Sequence, residues 1–370
     1  MRERNNFLLK KLDYYIGIPI LFILGILHSH KELPSTIPSR ILLVKTAGIG
    51  DTVQLIGIIQ ELKNQLPNCR IDVVATKSNY SMVKLIKEVD NINLFDMMRP
   101  ISSLKKIYFM GRYDLLFDFA SWPRINAIIS FFARANYKIG FKRSHMHRHY
   151  VYDSVINHSD DVHELVNYRH QLVAAKLKVF DLIPRLYING DSPLKGEYAV
   201  FHLCPGGAKK DLKMWPIGNW LELSKFVYGK YGWPIIFTGG KDDSSVIQEM
   251  MQDLSEMGIK ASNVAGRYKL DETAALLAHS QVLVSVDTGI MHMGSALDIP
   301  MVALMGPTSP KRWGPLSQHS IAVGSDDSCR PCISLGWDTD CNRPLCMDHI
   351  SVRKVEKAIE IVLDGNIICR

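Results

Sequence analysis

Short apolar runs alternate with helix-like segments along almost the whole chain, and this alternation decides the fold class. Glycine or small polar residues follow most runs, and a segment with helical spacing comes next. The clearest runs lie at 40–45, 71–74, 115–119, 198–203, 234–238 and 281–286. Strands that alternate with helices form a parallel, doubly wound sheet. Because the pattern restarts after Pro193–Gly196, we predict two Rossmann-like halves.

The chain has 370 residues, which is enough for two domains of ordinary size. We predict an N-terminal segment and linker (1–39), two Rossmann-like domains (40–192 and 193–351) and a C-terminal helix (352–370). A long helix is expected over 162–180. Ligands of open parallel sheets bind beyond the carboxyl ends of the strands, so two such domains facing each other predict an interdomain cleft that holds substrates. Neither half contains G-x-G-x-x-G or a Walker A sequence, which argues against a nicotinamide dehydrogenase or a P-loop enzyme.

Residues 14–27 form an uncharged, apolar run that basic residues precede. The run is shorter than the roughly 20 apolar residues that a membrane-spanning helix needs. The net charge is +7, and basic residues concentrate at 1–11 and 134–149. We therefore expect a monotopic or re-entrant membrane anchor, held by apolar insertion and by flanking basic residues. The alternative is an apolar helix packed on the protein's own surface. No nucleic-acid-binding motif is present, so nucleic acid is not an expected partner.

The strand predicted at 282–286 leads directly into Asp287, Thr288 and Gly289 at the start of a helix. A helix N-terminus presents backbone N–H groups and a partial positive charge, which suits a phosphate. Asp287 and Thr288 are residue types that cap a helix, and Gly289 lets a ligand approach the backbone. His292 lies one helical turn beyond Thr288, within reach of the same ligand. The alternative is an ordinary strand–turn–helix junction without a ligand.

Two further turns in the second half are rich in glycine. Gly206 and Gly207 belong to the turn Pro205-Gly-Gly-Ala208, and Gly239 and Gly240 follow the strand at 234–238. A lysine beside exposed backbone N–H groups is suited to a diphosphate, and Lys213 follows the first turn closely. The second turn suits the close approach of a nucleoside. The alternative for the first turn is a solvent-exposed basic loop.

Asp51 follows a glycine-rich turn at the carboxyl end of the first predicted strand. A carboxylate in this place is suited to act as a general base that accepts a proton from a hydroxyl group. The same position equally suits a helix N-cap. The sequence leaves both interpretations open.

Four cysteines cluster within the predicted insert 329–346: Cys329, Cys332, Cys341 and Cys346. Four thiolates at such spacing suit tetrahedral ligation of a structural zinc or iron ion. Reduced free thiols are the alternative, and the expected cytosolic location argues against disulfides. A closed sulfur site leaves no open position for a substrate, so the expected role is structural.

Eight segments, in this order along the chain, resemble a known protein family. They are LLVKTAGIGDTVQ (42–54), YDLLFDFASWPR (113–124), IGF (139–141), HLCPGGAKKDLKMWP (202–216), FTGGKDD (237–243), VAGR (264–267), VSVDTGIMHMGSAL (284–297) and VALMGPTSPKRWGP (302–315). They look like the heptosyltransferase-like glycosyltransferases of family 9, whose members build the core of bacterial lipopolysaccharide. The resemblance implies a GT-B fold, a nucleotide sugar bound by the C-terminal half, and inverting transfer without a catalytic metal ion.

Roles follow from this resemblance. Gly50 and Asp51 match the Gly-x-Gly-Asp motif that carries the proposed base on the acceptor side, and Lys213 matches the lysine that contacts the diphosphate. The donor motif Asp-Thr-Gly-x-x-His matches Asp287, Thr288, Gly289 and His292, and the donor is expected to contact the glycines at 206, 207, 239 and 240. Four basic residues are candidates for holding an anionic acceptor: Arg124, Lys142, Arg143 and Arg148. Some related protein heptosyltransferases hold iron with a similar cysteine-rich insert.

The sequence therefore predicts an inverting glycosyltransferase that moves a sugar, most naturally heptose from ADP-heptose, to a lipopolysaccharide-core or related glycan. The expected partners are the nucleotide sugar, an anionic lipid-linked acceptor and the inner membrane surface. The expected location is cytoplasmic, peripheral on the inner face of the cytoplasmic membrane. Three alternatives stay open: a protein-modifying heptosyltransferase, a nucleotide-sugar 2-epimerase, and a non-catalytic scaffold that binds nucleotide sugars.

Overall fold

A computed structural model describes residues 11, 13–207, 209–333, 339 and 341–365. The chain divides into two compact units, Met1–Pro184 and Arg185–Arg370. Each unit is built around one parallel six-stranded sheet. The predicted fold class of two Rossmann-like α/β halves is confirmed.

The sheet of unit 1 has the strand order β3-β2-β1-β4-β5-β6, and all its strand pairs are parallel. Its strands are β1 (Arg40–Val44), β2 (Arg70–Ala75), β3 (Asn91–Leu94), β4 (Tyr113–Asp118), β5 (Ala135–Lys142) and β6 (Ser154–Asn157). The strand order reverses between β1 and β4. Such a switch point is where ligands of doubly wound sheets bind.

Helices cover both faces of this sheet and precede it. They are α1 (Gly17–Leu27), α2 (Ile49–Gln65), α3 (Tyr80–Val83), α4 (Pro100–Phe109), α5 (Arg124–Phe132) and α6 (Glu164–Ala174), with a 3₁₀ turn at Arg148–Val151. Because both faces are covered, the central strands are continuous apolar runs: Ile41, Leu42, Leu43 and Val44 of β1 are all buried.

The sheet of unit 2 has the order β12-β11-β10-β7-β8-β9, again entirely parallel. Its strands are β7 (Ala199–His202), β8 (Ile235–Thr238), β9 (Ala261–Asn263), β10 (Val282–Val286), β11 (Met301–Leu304) and β12 (Ser320–Val323). Its switch point lies between β7 and β10, where Ser285 is paired with His202.

The helices of unit 2 enclose this sheet. They are α7 (Ile217–Tyr231), α8 (Ser244–Glu256), α9 (Leu270–Ala278), α10 (Gly289–Leu297), α11 (Pro310–Trp313), α12 (Leu345–Asp348) and α13 (Val352–Leu363), with 3₁₀ turns at Lys210–Lys213 and Lys241–Asp243. The aromatic side chains of Phe201, Trp220 and Phe237 pack together in the core of this unit.

The helix predicted over 162–180 is shorter than expected and ends at Ala174. Lys176 adopts a left-handed conformation with φ of 57°, and the N–H of Leu177 donates to the carbonyl of Leu172. This Schellman ending satisfies the last carbonyl groups and stops the helix. The edge strands β6 and β12 were not predicted, because both are only partly buried and lack the continuous buried apolar run of the central strands.

The apolar run 14–27 contains helix α1, which combines features of both interpretations. Gly17, Leu21 and Leu24 are buried, and the two leucines pack in a cluster with Ala127 and Ile128 of α5. The opposite face of α1 is exposed and apolar. Among the described residues, no helix has the length and apolar character that crossing a membrane requires.

Candidate active site

The residues predicted to bind a donor converge at the switch point of unit 2. Asp287 follows β10, and the segment leading to Lys213 follows β7, the neighbouring strand. Lys213 Nζ donates a hydrogen bond to Asp287 Oδ2 over 2.6 Å, and both side chains are mostly buried. Burial raises the pKa of Asp287, but attraction by Lys213 and His292 outweighs it and holds the pKa below its ordinary value.

The segment that carries Lys213 is fixed by the tryptophan two residues later. Trp215 is buried, donates from its indole nitrogen to the carbonyl of Ile350 over 2.9 Å, and packs edge-on against Trp220. The Lys-x-Trp-Pro motif therefore has a structural half and a polar half. The tryptophan anchors the loop, so the ammonium group of Lys213 is held at the strand ends.

Thr288 caps helix α10, which begins at Gly289 rather than at Met291. Its hydroxyl oxygen accepts hydrogen bonds from the N–H groups of Ile290 (3.1 Å) and Met291 (3.4 Å). Two of the first-turn donors are therefore already satisfied. A phosphate at this helix would have to compete with Thr288 for them, so Lys213 becomes the stronger candidate for holding a diphosphate. His292 is buried in the same helix, with its ring 6.3 Å from that of Trp313.

The glycine-rich turns lie at the ends of β7 and β8. Gly206 is exposed and Gly207 adopts φ of 94°, which a residue with a side chain rarely does. Ala208 of this turn lies outside the described residues. Gly240 donates its N–H to Asp243 Oδ2 over 2.7 Å, which starts the 3₁₀ turn after β8. Both turns leave backbone near the surface at the carboxyl edge of the sheet.

His202 was not singled out from the sequence, although it stands at the end of β7. Its side chain is buried, and Nδ1 lies 2.9 Å from the hydroxyl of Thr238 at the end of β8. Burial lowers the pKa of His202 to about 4. The imidazole is therefore neutral near pH 7 and acts as a hydrogen-bonding link between two strand ends. The signal available in the sequence was a histidine at the carboxyl end of a predicted strand.

In unit 1, Asp51 lies in the first turn of α2, just beyond β1. Lys45 Nζ is 3.0 Å from Asp51 Oδ1 and also donates to the carbonyl of Phe119 (3.0 Å) and the hydroxyl of Tyr168 (2.7 Å). The Lys45 side chain is 5% exposed, whereas that of Asp51 is 32% exposed. Lys45 thus orients a carboxylate that solvent still reaches. The hydroxyl of Thr52 donates to the carbonyl of Gly48, the residue before α2, which has no side chain of its own to cap the helix.

A buried, hydrogen-bonded pair of side chains beside this carboxylate was not predicted from the sequence. Glu164 and His158 are both buried, with Glu164 Oε2 3.0 Å from His158 Nε2. Burial raises the pKa of Glu164, but the hydrogen bond and charge of His158 lower it below its ordinary value overall, with a smaller contribution from Lys45. Arg143 extends the group, since its guanidinium lies 3.2 Å from His158 Nδ1.

The predicted acceptor arginines are placed differently from the expectation. Arg124 is buried, and Asp13 accepts hydrogen bonds from its backbone N–H and from Nη1, each over 2.9 Å. Arg148 is also buried and donates to Asp118 over 2.6 Å. These locations do not fit the predicted role, because both guanidinium groups neutralise acids inside unit 1 and neither faces solvent.

The other acceptor candidates keep an accessible position. Arg143 is partly exposed and makes a two-pronged ion pair with Asp160, with distances of 2.9 and 2.7 Å. Lys142 is exposed at the end of β5, and Gly50 lies in the first turn of α2 beside Asp51. The accessible candidates in unit 1 therefore belong to the segments that follow β1 and β5.

The four cysteines of the insert are free thiols in the structure. Cys329 is exposed, Cys332 and Cys341 are partly buried, and Cys346 is buried. Burial, with nearby Cys332 and Cys329, raises the pKa of the Cys346 thiol to about 11. Among the described residues, no three of these sulfur atoms lie within 4.8 Å of one another. Residues 334–338 and 340 of the predicted insert lie outside the described part, and the metal assignment stays a prediction.

Comparison with known proteins gives this geometry a context. The family model of glycosyltransferase family 9 (heptosyltransferase) matches residues 111–340. Lipooligosaccharide heptosyltransferase 2 of Haemophilus influenzae is 26% identical, with 77% of this chain and 88% of the relative covered. Lipopolysaccharide heptosyltransferase 2 of Salmonella typhimurium is also 26% identical, with coverages of 77% and 87%.

Solved structures agree at the level of the fold. ADP-heptose lps heptosyltransferase II of E. coli superimposes with a TM-score of 0.72 at 21% identity, covering 88% of this chain and 99% of that one. E. coli heptosyltransferase WaaC with ADP gives 0.70 at 19% identity, with coverages of 87% and 99%. The iron-containing glycosyltransferase TibC of enterotoxigenic E. coli is more distant, at 0.54 and 14% identity over 90% and 79%.

Proposed function

The chain belongs to glycosyltransferase family 9, the heptosyltransferase family, and we propose that it transfers heptose from ADP-heptose to the core of a lipopolysaccharide. It is a glycosyltransferase, as predicted. The structural observation that carries the proposal is the Lys213–Asp287 pair at the switch point of unit 2, beside the N-terminus of α10. The relatives named above are lipooligosaccharide and lipopolysaccharide heptosyltransferases, and solved neighbours contain ADP or an ADP-heptose analogue.

In the proposed reaction, the donor diphosphate is held by unit 2. Lys213 leaves or shares its contact with Asp287 and donates to a diphosphate oxygen, and the positive end of α10 faces the same group. Before the donor binds, Asp287 holds Lys213 in position. The turns at 206–207 and 239–240 lie at the same edge of the sheet and support the nucleotide through their backbone.

Asp51 is the proposed base for the acceptor hydroxyl. It takes the hydroxyl proton as the oxygen attacks the anomeric carbon from the face opposite the diphosphate, and the bond from that carbon to the diphosphate oxygen breaks. ADP leaves with both bonding electrons, and Lys213 stabilises the charge that develops on it. The configuration at the anomeric carbon is therefore inverted, and no metal ion is needed for the chemical step.

We also propose that unit 1 rests on an anionic membrane surface. The exposed face of α1 presents Phe22, Ile23, Ile26 and Leu27. Leu104 of α4 packs against the same cluster as Leu21 and Leu24. Helix α4 also exposes apolar side chains, with Ile101 72% and Phe109 76% exposed. Exposed apolar helix faces of this kind are suited to interfacial binding.

The positive charge of α4 and its flanking residues favours binding to an anionic bilayer. Residues 97–113 contain no acidic residue, and Lys105 and Lys106 are exposed on α4. The guanidinium of Arg134 lies 5.4 Å from the ring centre of Tyr108, which is a cation–π contact. Basic residues near a membrane surface each contribute about 1 kcal/mol of binding to anionic lipids.

The donor is tested by thermal shift and calorimetry with ADP, GDP, UDP and CDP. ADP should bind selectively, and Lys213→Ala should weaken it by roughly tenfold or more, because a charge-assisted hydrogen bond contributes about 1.5–3 kcal/mol. Lys225→Ala, at an exposed site on α7, is the matched control and should leave ADP binding unchanged. Equal ADP binding in Lys213→Ala and Lys225→Ala would remove Lys213 from the donor site.

The acceptor is tested by product analysis with ADP-heptose and a lipopolysaccharide-core acceptor. A new glycosidic bond of inverted configuration on the lipid-linked glycan supports the proposal, whereas transfer to a protein would redirect it.

Binding to vesicles is tested with anionic and neutral lipids. Lys105→Glu/Lys106→Glu should reduce binding to anionic vesicles, with exposed Lys77→Glu as control. Equal binding to both vesicle types would contradict the preference for anionic lipid, and binding to neither would contradict the membrane assignment.

A further inference from the structure

Three side chains at the edge of unit 1 have the composition of a zinc site. His28 and His30 follow α1, and Asp153 directly precedes β6. Their ligand atoms all lie within 4.8 Å of one another, and no other such group occurs within the described residues. Two imidazoles and a carboxylate form a donor set that zinc commonly takes.

His28 supplies an independent indication. Its side chain is 6% exposed, and its Nε2 lies 3.2 Å from Asp153 Oδ1, but the two atoms do not have the geometry of a well-formed hydrogen bond. A buried imidazole nitrogen with so imperfect a contact is better satisfied by a metal ion between the two atoms. Two ligands of one tetrahedral zinc ion, with bonds of about 2.0–2.1 Å, lie roughly 3.3 Å apart. The observed separation matches that arrangement.

Asp153 is already held in an orientation that suits a ligand. Its Oδ1 accepts from the backbone N–H of Lys31 (2.9 Å), and its Oδ2 accepts from that of Lys138 (2.8 Å). A carboxylate has about four acceptor positions, so two backbone donors fix the group without exhausting it. Backbone partners that orient a metal ligand are the usual support of such sites.

Two lysines set a limit on the affinity. Lys31 Nζ donates to the carbonyl of Ala135 over 2.8 Å, and Lys138 Nζ donates to that of Phe131 over 2.7 Å. Both ammonium groups are directed to carbonyl oxygens rather than to Asp153, but their charge opposes a divalent cation. The site should therefore bind zinc less tightly than a closed site of four protein ligands.

We propose that His28, His30 and Asp153 bind one zinc ion, with water in the fourth position. The ion joins the segment after α1 to the region of β5 and β6. More than a hundred residues of sequence separate His30 from Asp153. The ion fastens α1 to the sheet of unit 1 and has no role in the transfer reaction. Because a ligand that binds only the folded state stabilises it, zinc should also raise the unfolding temperature.

The test is equilibrium dialysis of the full chain against zinc, with metal measured per chain. His30→Gln is the main variant, because His30 is exposed and its replacement spares the core. It should lose one zinc ion per chain and the zinc-dependent rise in unfolding temperature. His170→Gln, at another exposed histidine of unit 1, should keep both. Equal zinc content in the two variants would overturn the proposal.

The cysteines of the insert require a separate arm, since thiolates also bind zinc. Cobalt bound by the three-residue site should give ligand-field bands without a sulfur-to-metal charge-transfer band. A double Cys329→Ser/Cys332→Ser variant should keep the zinc ion that His30→Gln loses. If all bound metal disappears in the cysteine variant and none in His30→Gln, the cysteines are the site and the assignment to His28, His30 and Asp153 fails.

Discussion

The two units share one strand order but treat charge at their switch points differently. In unit 1, Lys45 is almost fully buried and donates to three acceptors, so the Asp51 carboxylate has a rigid support. In unit 2, Lys213 has one acceptor within the described residues, Asp287, and no second partner restrains it. A fixed carboxylate suits a base whose position must not change, and a singly held lysine suits an ion that must transfer to a ligand. We therefore expect substitution of Asp51 to affect turnover and substitution of Lys213 to affect donor binding.

The largest expected effect comes from Asp51→Asn, which keeps the shape and removes the base. Turnover should fall by about 10²–10⁴-fold, the range of general acid–base catalysis, while ADP binding stays unchanged. Steady-state kinetics and calorimetry with ADP measure the two quantities. An equal loss of both would show that Asp51 supports donor binding, and the proposed division between the units would not hold.

The next effect concerns pH and the neutral histidine of unit 2. His202 has an ordinary pKa of about 6.5 when unfolded and about 4 in the fold, because burial disfavours its charged form. As pH falls through 6.5, the unfolded chain binds a proton that the folded chain refuses until about pH 4. The folded state therefore loses up to about 3 kcal/mol between pH 6.5 and 4, and nothing further from this group below pH 4.

Denaturant unfolding of wild type and His202→Gln across this pH window measures the histidine's share. The wild type should lose more stability than His202→Gln as the pH falls, while exposed His170→Gln should follow the wild type. Parallel curves for wild type and His202→Gln would show that the buried imidazole is charged or solvated. The neutral link between β7 and β8 would then be incorrect.

Lys45→Met tests the rigid support in unit 1 with a side chain of similar length. The variant leaves the hydroxyl of Tyr168, the carbonyl of Phe119 and one oxygen of Asp51 without the ammonium group. Since Asp51 is partly solvated, we expect a loss of about 2 kcal/mol, less than for a fully buried pair. Turnover should fall with it, because Asp51 loses its orientation. Unchanged turnover at reduced stability would make Lys45 purely structural.

The fold, and the positions in it of the proposed donor-binding residues, could be predicted because they depend on local sequence. Asp287, Thr288 and Gly289 are consecutive and follow a buried strand, so their place at a strand end is fixed by chain connectivity. The contact of Lys45 with Tyr168 spans 123 residues, and no local pattern announces it.

The burial of Arg124 and Arg148, which were predicted to hold the acceptor, could not be predicted for a related reason. The basic composition of 134–149 indicates a charged surface, but it does not show which guanidinium groups meet an acid in the interior. Asp118, at the end of β4, and Asp13, before α1, are the acids that draw Arg148 and Arg124 inward. Their positions depend on the tertiary packing of distant segments, which residue counts do not contain.

The smallest effect separates the two helices that begin at the switch points. The residue before α2 is Gly48, which has no side chain, whereas Thr288 precedes α10 and its hydroxyl oxygen accepts from two N–H groups. Thr288→Ala should lower the free energy of unfolding by about 1 kcal/mol, the usual contribution of an N-cap. Ser351→Ala, at the N-cap of α13, should cost a similar amount and leave ADP binding unchanged.

The informative quantity is the affinity of Thr288→Ala for ADP relative to Ser351→Ala. If the diphosphate competes with Thr288 for the first-turn N–H groups, removal of the hydroxyl frees two donors and ADP should bind more tightly. If the hydroxyl itself contacts the nucleotide, ADP should bind more weakly. The first result would make the helix N-terminus part of the anion site, and the second would leave Lys213 as its principal cation.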